Sequence, residues 1–249
     1  MSDSPERPCI LVTRPEPGAT ATEKVLIERG FSVIKRPLTE LAAVPVSEDN
    51  TDQFLKSDLI IVTSANALRH APGSLIDAVR QTPVVAVGDA TAQQANDLGM
   101  VDVISLGGDA ETLLAWVLSN VPKSDHIGYL CGRLRRDVID VGLADHGLKL
   151  SSIETYKTQK VSQITEKIMA DLRITDPDGV AVFSSVSAQI LADLCQIDEI
   201  CQKFENKLVF AISDRAVDAL KDVWPGDMAV SEHKDAHAMH ALIADYFFQ

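Results

Sequence analysis

The sequence lacks most of the signatures that announce a function. It has no G-x-G-x-x-G, no G-x-x-x-x-G-K-[ST] and no G-x-S-x-G, so dinucleotide, P-loop and nucleophile-elbow hydrolase readings have nothing to rest on. Its four cysteines, Cys9, Cys131, Cys195 and Cys201, form no C-x-x-C spacing; we read them as reduced thiols of a cytoplasmic protein rather than metal ligands. Positive charge is scarce, with Lys+Arg 23 against Asp+Glu 36 and a net charge of -13. A polyphosphate would be repelled at long range, so nucleic acid is not an expected partner. A small anion is not excluded, because local donors outweigh a distant field that salt screens over roughly 10 Å. No apolar run approaches the length of a membrane span, and Met1–Pro8 is polar with two prolines, unlike a signal peptide. The expectation is a soluble, cytoplasmic chain with no membrane partner.

What is present is a rhythm. Across 249 residues of ordinary globular composition, 46% hydrophobic and 24% charged, short apolar runs alternate with helical patterns. The runs are Cys9–Thr13, Phe31–Ile34, Leu59–Val62, Val84–Val87, Val101–Ile104, Ile127–Leu130, Leu148–Ile153, Val180–Phe183, Leu208–Ile212 and Met228–Val230. Several are continuous in Val, Ile and Leu, the pattern of a strand covered on both faces in a parallel sheet. Between them, stretches such as Ala19–Glu28, Thr91–Leu98 and Asp214–Val223 repeat apolar residues at helical spacing. Gly30, Gly99 and Gly147 stand where a helix must end and the chain turn back. The fold class is therefore α/β with parallel sheets. So many strands predict two sheets rather than one in a chain of this length.

Two segments break the rhythm, Pro37–Val46 and Glu154–Val161. Read as paired extended linker strands at 37–44 and 154–161, they leave two balanced lobes. One is discontinuous, 1–36 plus 162–249, and the other is the continuous middle, 45–153. Ordinary loops remain the alternative for both segments.

In parallel α/β sheets ligands bind beyond the carboxyl ends of the strands, where helix N-termini offer free N–H groups. The residues there are Thr13-Arg14-Pro15, Thr63-Ser64-Ala65-Asn66, Gly88 to Thr91, Cys131-Gly132-Arg133, Ser184 to Ser187 and Ser213-Asp214-Arg215. These hydroxyl and guanidinium groups suit carboxylates. Each Ser or Thr alone equally suits a helix cap, and Arg135 and Arg136 equally suit a solvated helix face. The clustered aspartates of a phosphoacceptor site are missing. His233, His237 and His240 have helical spacing but no accompanying cysteine or carboxylate cage, so we read them as a solvated face of a polar terminal helix, not a metal site. His70, His126 and His146 are isolated.

In order, these segments resemble the uroporphyrinogen-III synthase family. The strand into Thr13-Arg14-Pro15 is similar to the family's opening, and Thr63-Ser64-Ala65-Asn66-Ala67 to its Phe-Thr-Ser-x-x-Ala. Val87-Gly88-Asp89-Ala90-Thr91-Ala92 resembles Val-Gly-x-x-Thr-Ala, and Gly132 to Arg136 the strand-Gly-x-x-Arg stretch. Glu154-Thr155-Tyr156-Lys157-Thr158 resembles the Val-Tyr-x-Thr connection, and Phe183-Ser184-Ser185-Val186-Ser187-Ala188 the second Phe-x-Ser segment. Each motif is weak alone; the ordered set runs from about residue 9 to 245. One segment departs: Ser213-Asp214-Arg215-Ala216 stands where the family commonly carries Gly-Pro-x-Thr-Ala.

The resemblance implies two flavodoxin-like α/β lobes joined by a two-stranded extended linker. It implies a lyase of tetrapyrrole and haem biosynthesis that closes hydroxymethylbilane with inversion of ring D and loss of water through a spiro intermediate. No metal or organic cofactor takes part. Tyr156 is then the candidate to assist loss of hydroxyl. Thr13, Arg14, Thr63, Ser64, Asn66, Thr91, Gly132, Arg133, Ser184, Ser185, Ser187 and Arg215 are candidates to hold the substrate. A monomer is expected, with a transient handover of substrate from hydroxymethylbilane synthase. Two rivals use the same donors without the reaction. One is a non-catalytic two-lobe paralogue or sensor that closes on a small anion, and the other a scaffold of receiver-like lobes.

Overall fold

The computed structural model describes residues 7–248; the reading of Met1–Pro8 as a polar start lies, for residues 1–6, outside them. Eleven strands are seen among the described residues: β1 Cys9–Val12, β2 Ser32–Lys35, β3 Thr39–Ala43, β4 Leu59–Val62, β5 Val84–Ala86, β6 Val103–Ser105, β7 His126–Gly132, β8 Lys149–Lys160, β9 Gly179–Val182, β10 Leu208–Ala211 and β11 Met228–Val230. The first seven helices are α1 Gly18–Glu28, α2 Glu48–Phe54, α3 Ala65–Arg69, α4 Gly73–Val79, α5 Asp89–Asp97, α6 Ala110–Asn120 and α7 Val138–Asp145. The rest are α8 Ile164–Ile174, α9 Ser185–Cys195, α10 Asp198–Lys203, α11 Asp214–Leu220 and α12 Ala236–Phe248. The chain divides into two compact units, one made of residues up to Glu40 and from Gln159, the other of Leu41–Thr158.

Unit 1 is built on a five-stranded sheet in the order β11-β10-β9-β1-β2, every neighbouring pair parallel. Its central strands are apolar throughout because both faces are covered. Leu11, Val180, Val182 and Val209 pack under α8, α9 and α11 through Ile168, Leu172, Leu191 and Leu220. Ile10, Val12, Ala181 and Phe210 face the other way, toward Leu26 of α1 and Met239 and Ile243 of α12. Burying each such Leu, Ile or Phe contributes about 1.5–3 kcal/mol, so a charge at Leu11 would unfold this unit. After α1 the backbone reverses at Gly30, whose φ of +96° lies where a side chain is strained.

The second sheet has six strands in the order β3-β8-β7-β4-β5-β6. From β8 through β6 the neighbours are parallel. One face packs Ile60, Val62 and Val84 against α3, α4 and α5; the other packs Ile61, Val85 and Ile127 against Leu113 and Val117 of α6 and Ile139 and Leu143 of α7. The expected α/β class with parallel sheets is thus present in both units.

The sixth strand of this sheet is β3. Leu38 bonds with Val161 and Val44 with Thr155, so β3 runs antiparallel to the later part of β8. The sequence suggested a strand ending at Ile153 and a separate extended segment after it. The structure instead has one uninterrupted strand of 12 residues. Pairing is a backbone matter, and the change from apolar to polar side chains at Glu154 does not interrupt it.

One further reading is corrected here. His240 is not on a solvated face: it is 7% exposed. Helix α12 begins at Ala236, after the charged Lys234 and Asp235 that made the segment look polar. His240 follows the buried Met239 and precedes Ile243 by three residues, so it turns inward with them.

Candidate functional site

Connection order decides where each sheet opens for a ligand. In unit 1, β1 leads through α1 to β2 on one side, while β9 leads through α9 to β10 on the other. The two exits diverge between β1 and β9, and the helix N-termini splay apart there. In unit 2 the same divergence falls between β4, which leads to β5, and β7, which leads to β8. Most of the sequence-predicted residues stand at these two switch points, while Thr91 and Arg215 follow β5 and β10, one strand away.

At the first switch point the hydroxyls are largely committed. Thr13 is fully buried and donates to the Ala181 carbonyl at 2.8 Å, bracing β1 against β9. Ser184 caps α9, its Oγ accepting from the Ser187 N–H at 3.0 Å and donating to Ser187 Oγ at 3.0 Å. Ser187 is fully buried and Ser185 half-buried. Arg14 stands out because nothing acidic among the described residues meets it. Its guanidinium lies 4.4 Å from the Phe183 ring centroid and donates to Thr22 Oγ1 at 3.2 Å, and burial lowers its pKa. Arg215 is exposed in the first turn of α11 beside Asp214.

At the second switch point a bulge does the positioning. The pairing of β7 with β8 slips between Cys131 and Gly132, so that Cys131 faces Glu154 and Gly132 faces Tyr156. The extra residue, Thr155, is fully buried and donates to the Ala67 carbonyl at 2.7 Å. Such a bulge re-aims the next side chain. Here that is Tyr156, whose ring lies over Gly132 with its hydroxyl unpartnered among the described residues. Against the ring stands His70, with centroids 5.6 Å apart and a tilt of 35°. His70 Nδ1 is 2.9 Å from the Asn66 carbonyl oxygen. A carbonyl only accepts, so Nδ1 donates this bond.

Thr63, across on β4's exit, exchanges a 2.9 Å hydrogen bond with the hydroxyl of Tyr129. Tyr129 is a residue the sequence analysis passed over. It is 2% exposed, and burial raises its pKa, so it stays a neutral partner that orients Thr63. Ser64 caps α3, accepting from the Asn66 N–H at 3.2 Å, and Asn66 Oδ1 accepts from Arg69 at 3.0 Å. Thr91, in the first turn of α5, is 7% exposed, and its hydroxyl has no partner among the described residues.

The arginines after β7 are paired. Arg133 donates to Glu154 at 2.9 Å, Arg135 to Asp140 at 2.9 Å and Glu154 at 3.3 Å, and Arg136 to Glu111 at 2.8 Å. Arg133 is the first cause, with Arg135 beside it, that holds the Glu154 carboxyl below its usual range; Arg135 does the same for Asp140. Arg133 and Arg135 line a cavity of about 310 Å³ with Ser47, Asn50 and Glu154. The Arg133 pair is exposed enough that water competes for it, so it contributes about 0–1 kcal/mol and yields readily to another carboxylate.

Among the described residues no group of three or more His, Cys, Asp or Glu is placed to hold a metal ion, and no helix is long and apolar enough to cross a membrane. Each switch point carries hydroxyl and guanidinium groups at the carboxyl ends of parallel strands, and that of unit 2 adds a phenol unpartnered among the described residues. The class this defines is an α/β protein of two units, each built on a largely parallel sheet.

The comparisons make the class specific. A structure of mutant uroporphyrinogen III synthase from the extremely thermophilic bacterium Thermus thermophilus matches with 15% identity over 96% of this chain and 99% of that one, at a TM-score of 0.52. The structure of uroporphyrinogen-III synthetase from Helicobacter pylori matches with 16% identity over 96% and 99%, at a TM-score of 0.60. At such identities the likeness is one of fold. No curated protein matches the chain. The family model described as uroporphyrinogen-III synthase HemD matches residues 20–241. This chain belongs to the uroporphyrinogen-III synthase family.

Proposed function

We propose that this protein is a lyase of tetrapyrrole biosynthesis that converts hydroxymethylbilane to uroporphyrinogen III. The observation that carries the assignment, in a chain of this family, is the Tyr156 hydroxyl, unpartnered among the described residues and held over Gly132 beside the β4/β7 switch point. Tyr156 lends its proton to the departing hydroxymethyl oxygen as the C–O bond breaks, and water leaves. The resulting azafulvene carbon is attacked by the substituted carbon of ring D, which forms the spiro intermediate. The bond from that carbon to its original methylene then breaks, the freed cation closes on the other α-carbon, and loss of a proton restores the pyrrole.

The bilane is electron-rich and closes unaided to the wrong isomer, so the enzyme's work is orientation more than bond-breaking. In unit 2, Thr63, Ser64, Asn66, Thr91, Gly132 and Arg133 are the proposed carboxylate hosts; in unit 1, Thr13, Arg14, Ser184, Ser185, Ser187 and Arg215. Among the described residues Arg14, Thr91 and Arg215 meet no carboxylate and cap no helix through their side chains. We further propose a cytoplasmic monomer that takes its labile substrate by transient handover from hydroxymethylbilane synthase. The test is to generate hydroxymethylbilane in place, add the protein, oxidise, and separate isomers I and III by chromatography. Dominant type III is expected. Only type I, formed at the uncatalysed rate with folded protein, would refute the reaction and favour an anion-binding paralogue, toward which the Ser213–Ala216 departure would then point.

A further inference from the structure

Arg14 is held by more side chains than a surface arginine needs. Its guanidinium lies on the face of Phe183, the residue just before the α9 cap, at 4.4 Å. On α1 it fills the space that Gly18 leaves open: a Cβ there would collide with Arg14 Nε. One nitrogen donates to Thr22 Oγ1 at 3.2 Å, and the same oxygen lies 3.2 Å from His240 Nε2 on α12. A guanidinium only donates, so Thr22 accepts from Arg14, and the direction of the Thr22–His240 bond follows the imidazole tautomer. The imidazole itself is uncharged. Burial, then the charges of Arg29 and Arg14, push the His240 pKa down to about 4 and keep it so. Arg29 fixes this stretch of α12 by donating to the His240 carbonyl at 2.8 Å.

The assembly holds a cation without a counter-charge. Arg133, Arg135 and Arg136 each meet a carboxylate, but among the described residues none reaches Arg14. Glu16, two residues on, is engaged with Lys35 at 3.3 Å and with Thr20 at 3.0 Å and 2.9 Å. The guanidinium also rests against the first turn of α1, the positive end of that helix dipole. A half-buried positive group so placed is costly unless an anion completes it.

We propose that Thr22 and His240 are positioning residues that hold Arg14, over Phe183 and Gly18, as the receptor for one carboxylate of a polycarboxylate tetrapyrrole. This rests on the proposed function for the identity of the ligand. Thr22 and His240 do not touch the ligand; they set the direction of the Arg14 fork, whose remaining N–H groups face the anion.

The test is a double-mutant cycle with two readouts: KM and kcat for type III formation, and fluorescence titration with oxidised uroporphyrin, a stable polycarboxylate that binds without turnover. Arg14→Met is expected to raise KM and the porphyrin Kd about tenfold or more. Thr22→Val and His240→Leu are expected to raise both about three- to tenfold with kcat little changed, and Thr22→Ser to restore them. In the Arg14→Met background, the Thr22 and His240 changes should then add nothing. Unchanged KM and Kd in Arg14→Met would overturn the receptor. Thr22→Val or His240→Leu effects that persist undiminished without Arg14 would overturn positioning in favour of plain packing. If wild type makes no type III while the coupled Kd effects remain, the reaction is refuted and the carboxylate receptor stands.

Discussion

A side chain at Gly132 and the ring of Tyr156 cannot share the space they would both need: a Cβ on Gly132 would lie 2.6 Å from Tyr156 Cζ and 2.8 Å from its hydroxyl oxygen. The bulge on β8 puts the two residues opposite each other, and the absence of a side chain lets the ring settle on the backbone. Gly132→Ala should therefore push the phenol away while leaving the strand paired. We expect kcat for type III formation to fall about tenfold or more, since a shift near 1 Å in a reacting group has effects of this order. KM should change much less. An unchanged kcat would show that the ring's seat has no bearing on turnover.

Tyr156→Phe removes one oxygen and keeps the seat. The hydroxyl has no partner among the described residues, while the ring packs with Ile153 and Leu130 around the α3 face of the sheet. Thermal stability should stay close to wild type. Type III formation should slow by about 10²-fold, a typical contribution of a positioned proton donor. Full activity in the folded variant would remove Tyr156 from the chemistry and leave it as packing.

The strands were legible because burial on both faces leaves a plain mark. Leu59–Val62 and Met228–Val230 coincide with β4 and β11. The edge strand β6 starts two residues later than its apolar run, since Asp102 adopts a φ of +49° and the chain bends at Val101–Asp102. What stayed hidden were relationships between distant residues. Tyr129 looked like one more apolar position in β7, and its bond to Thr63 spans 66 positions. Thr22 and His240 are 218 apart, each ordinary on its own helix. The acid that Arg133 and Arg135 share, Glu154, lies on β8, so that pairing depended on sheet order, not on local pattern. Side-chain chemistry at strand ends could be located from sequence; whether each donor was free or already engaged could not.

The thiols offer a check on packing that is independent of any ligand. Cys131 is 1% exposed and burial pushes its pKa up to about 12; Cys195 is 6% exposed and likewise raised to about 12. Cys9 is also buried and raised, and only Cys201 is partly open. Thiolates are the reactive form, so these sites should be inert while the protein is folded. Iodoacetamide at pH 8 should add at most one group per chain in the native state and four after denaturation, counted by mass spectrometry. Rapid labelling of Cys131 in the native protein would contradict the core around β7.

His240 makes stability depend on pH in a direction that can be worked out. Its pKa is about 4 in the folded protein against 6.5 for an ordinary histidine. Between those values the unfolded chain carries a proton at His240 that the folded chain does not, so the unfolded state gains as pH falls. The contribution is fully present above pH 6.5, and is lost progressively as pH drops toward 4. The loss is about 2 kcal/mol by pH 5 and about 3 kcal/mol at the bottom of the window. Other groups titrate in the same range, but they are common to wild type and His240→Gln, so the difference between the two isolates this residue. Urea unfolding at pH 7.5, 6 and 5 should show wild type losing stability faster than His240→Gln, with the gap between them closing by roughly 2 kcal/mol. Parallel pH curves for the two proteins would mean that His240 is not held neutral beside Thr22 in the folded protein.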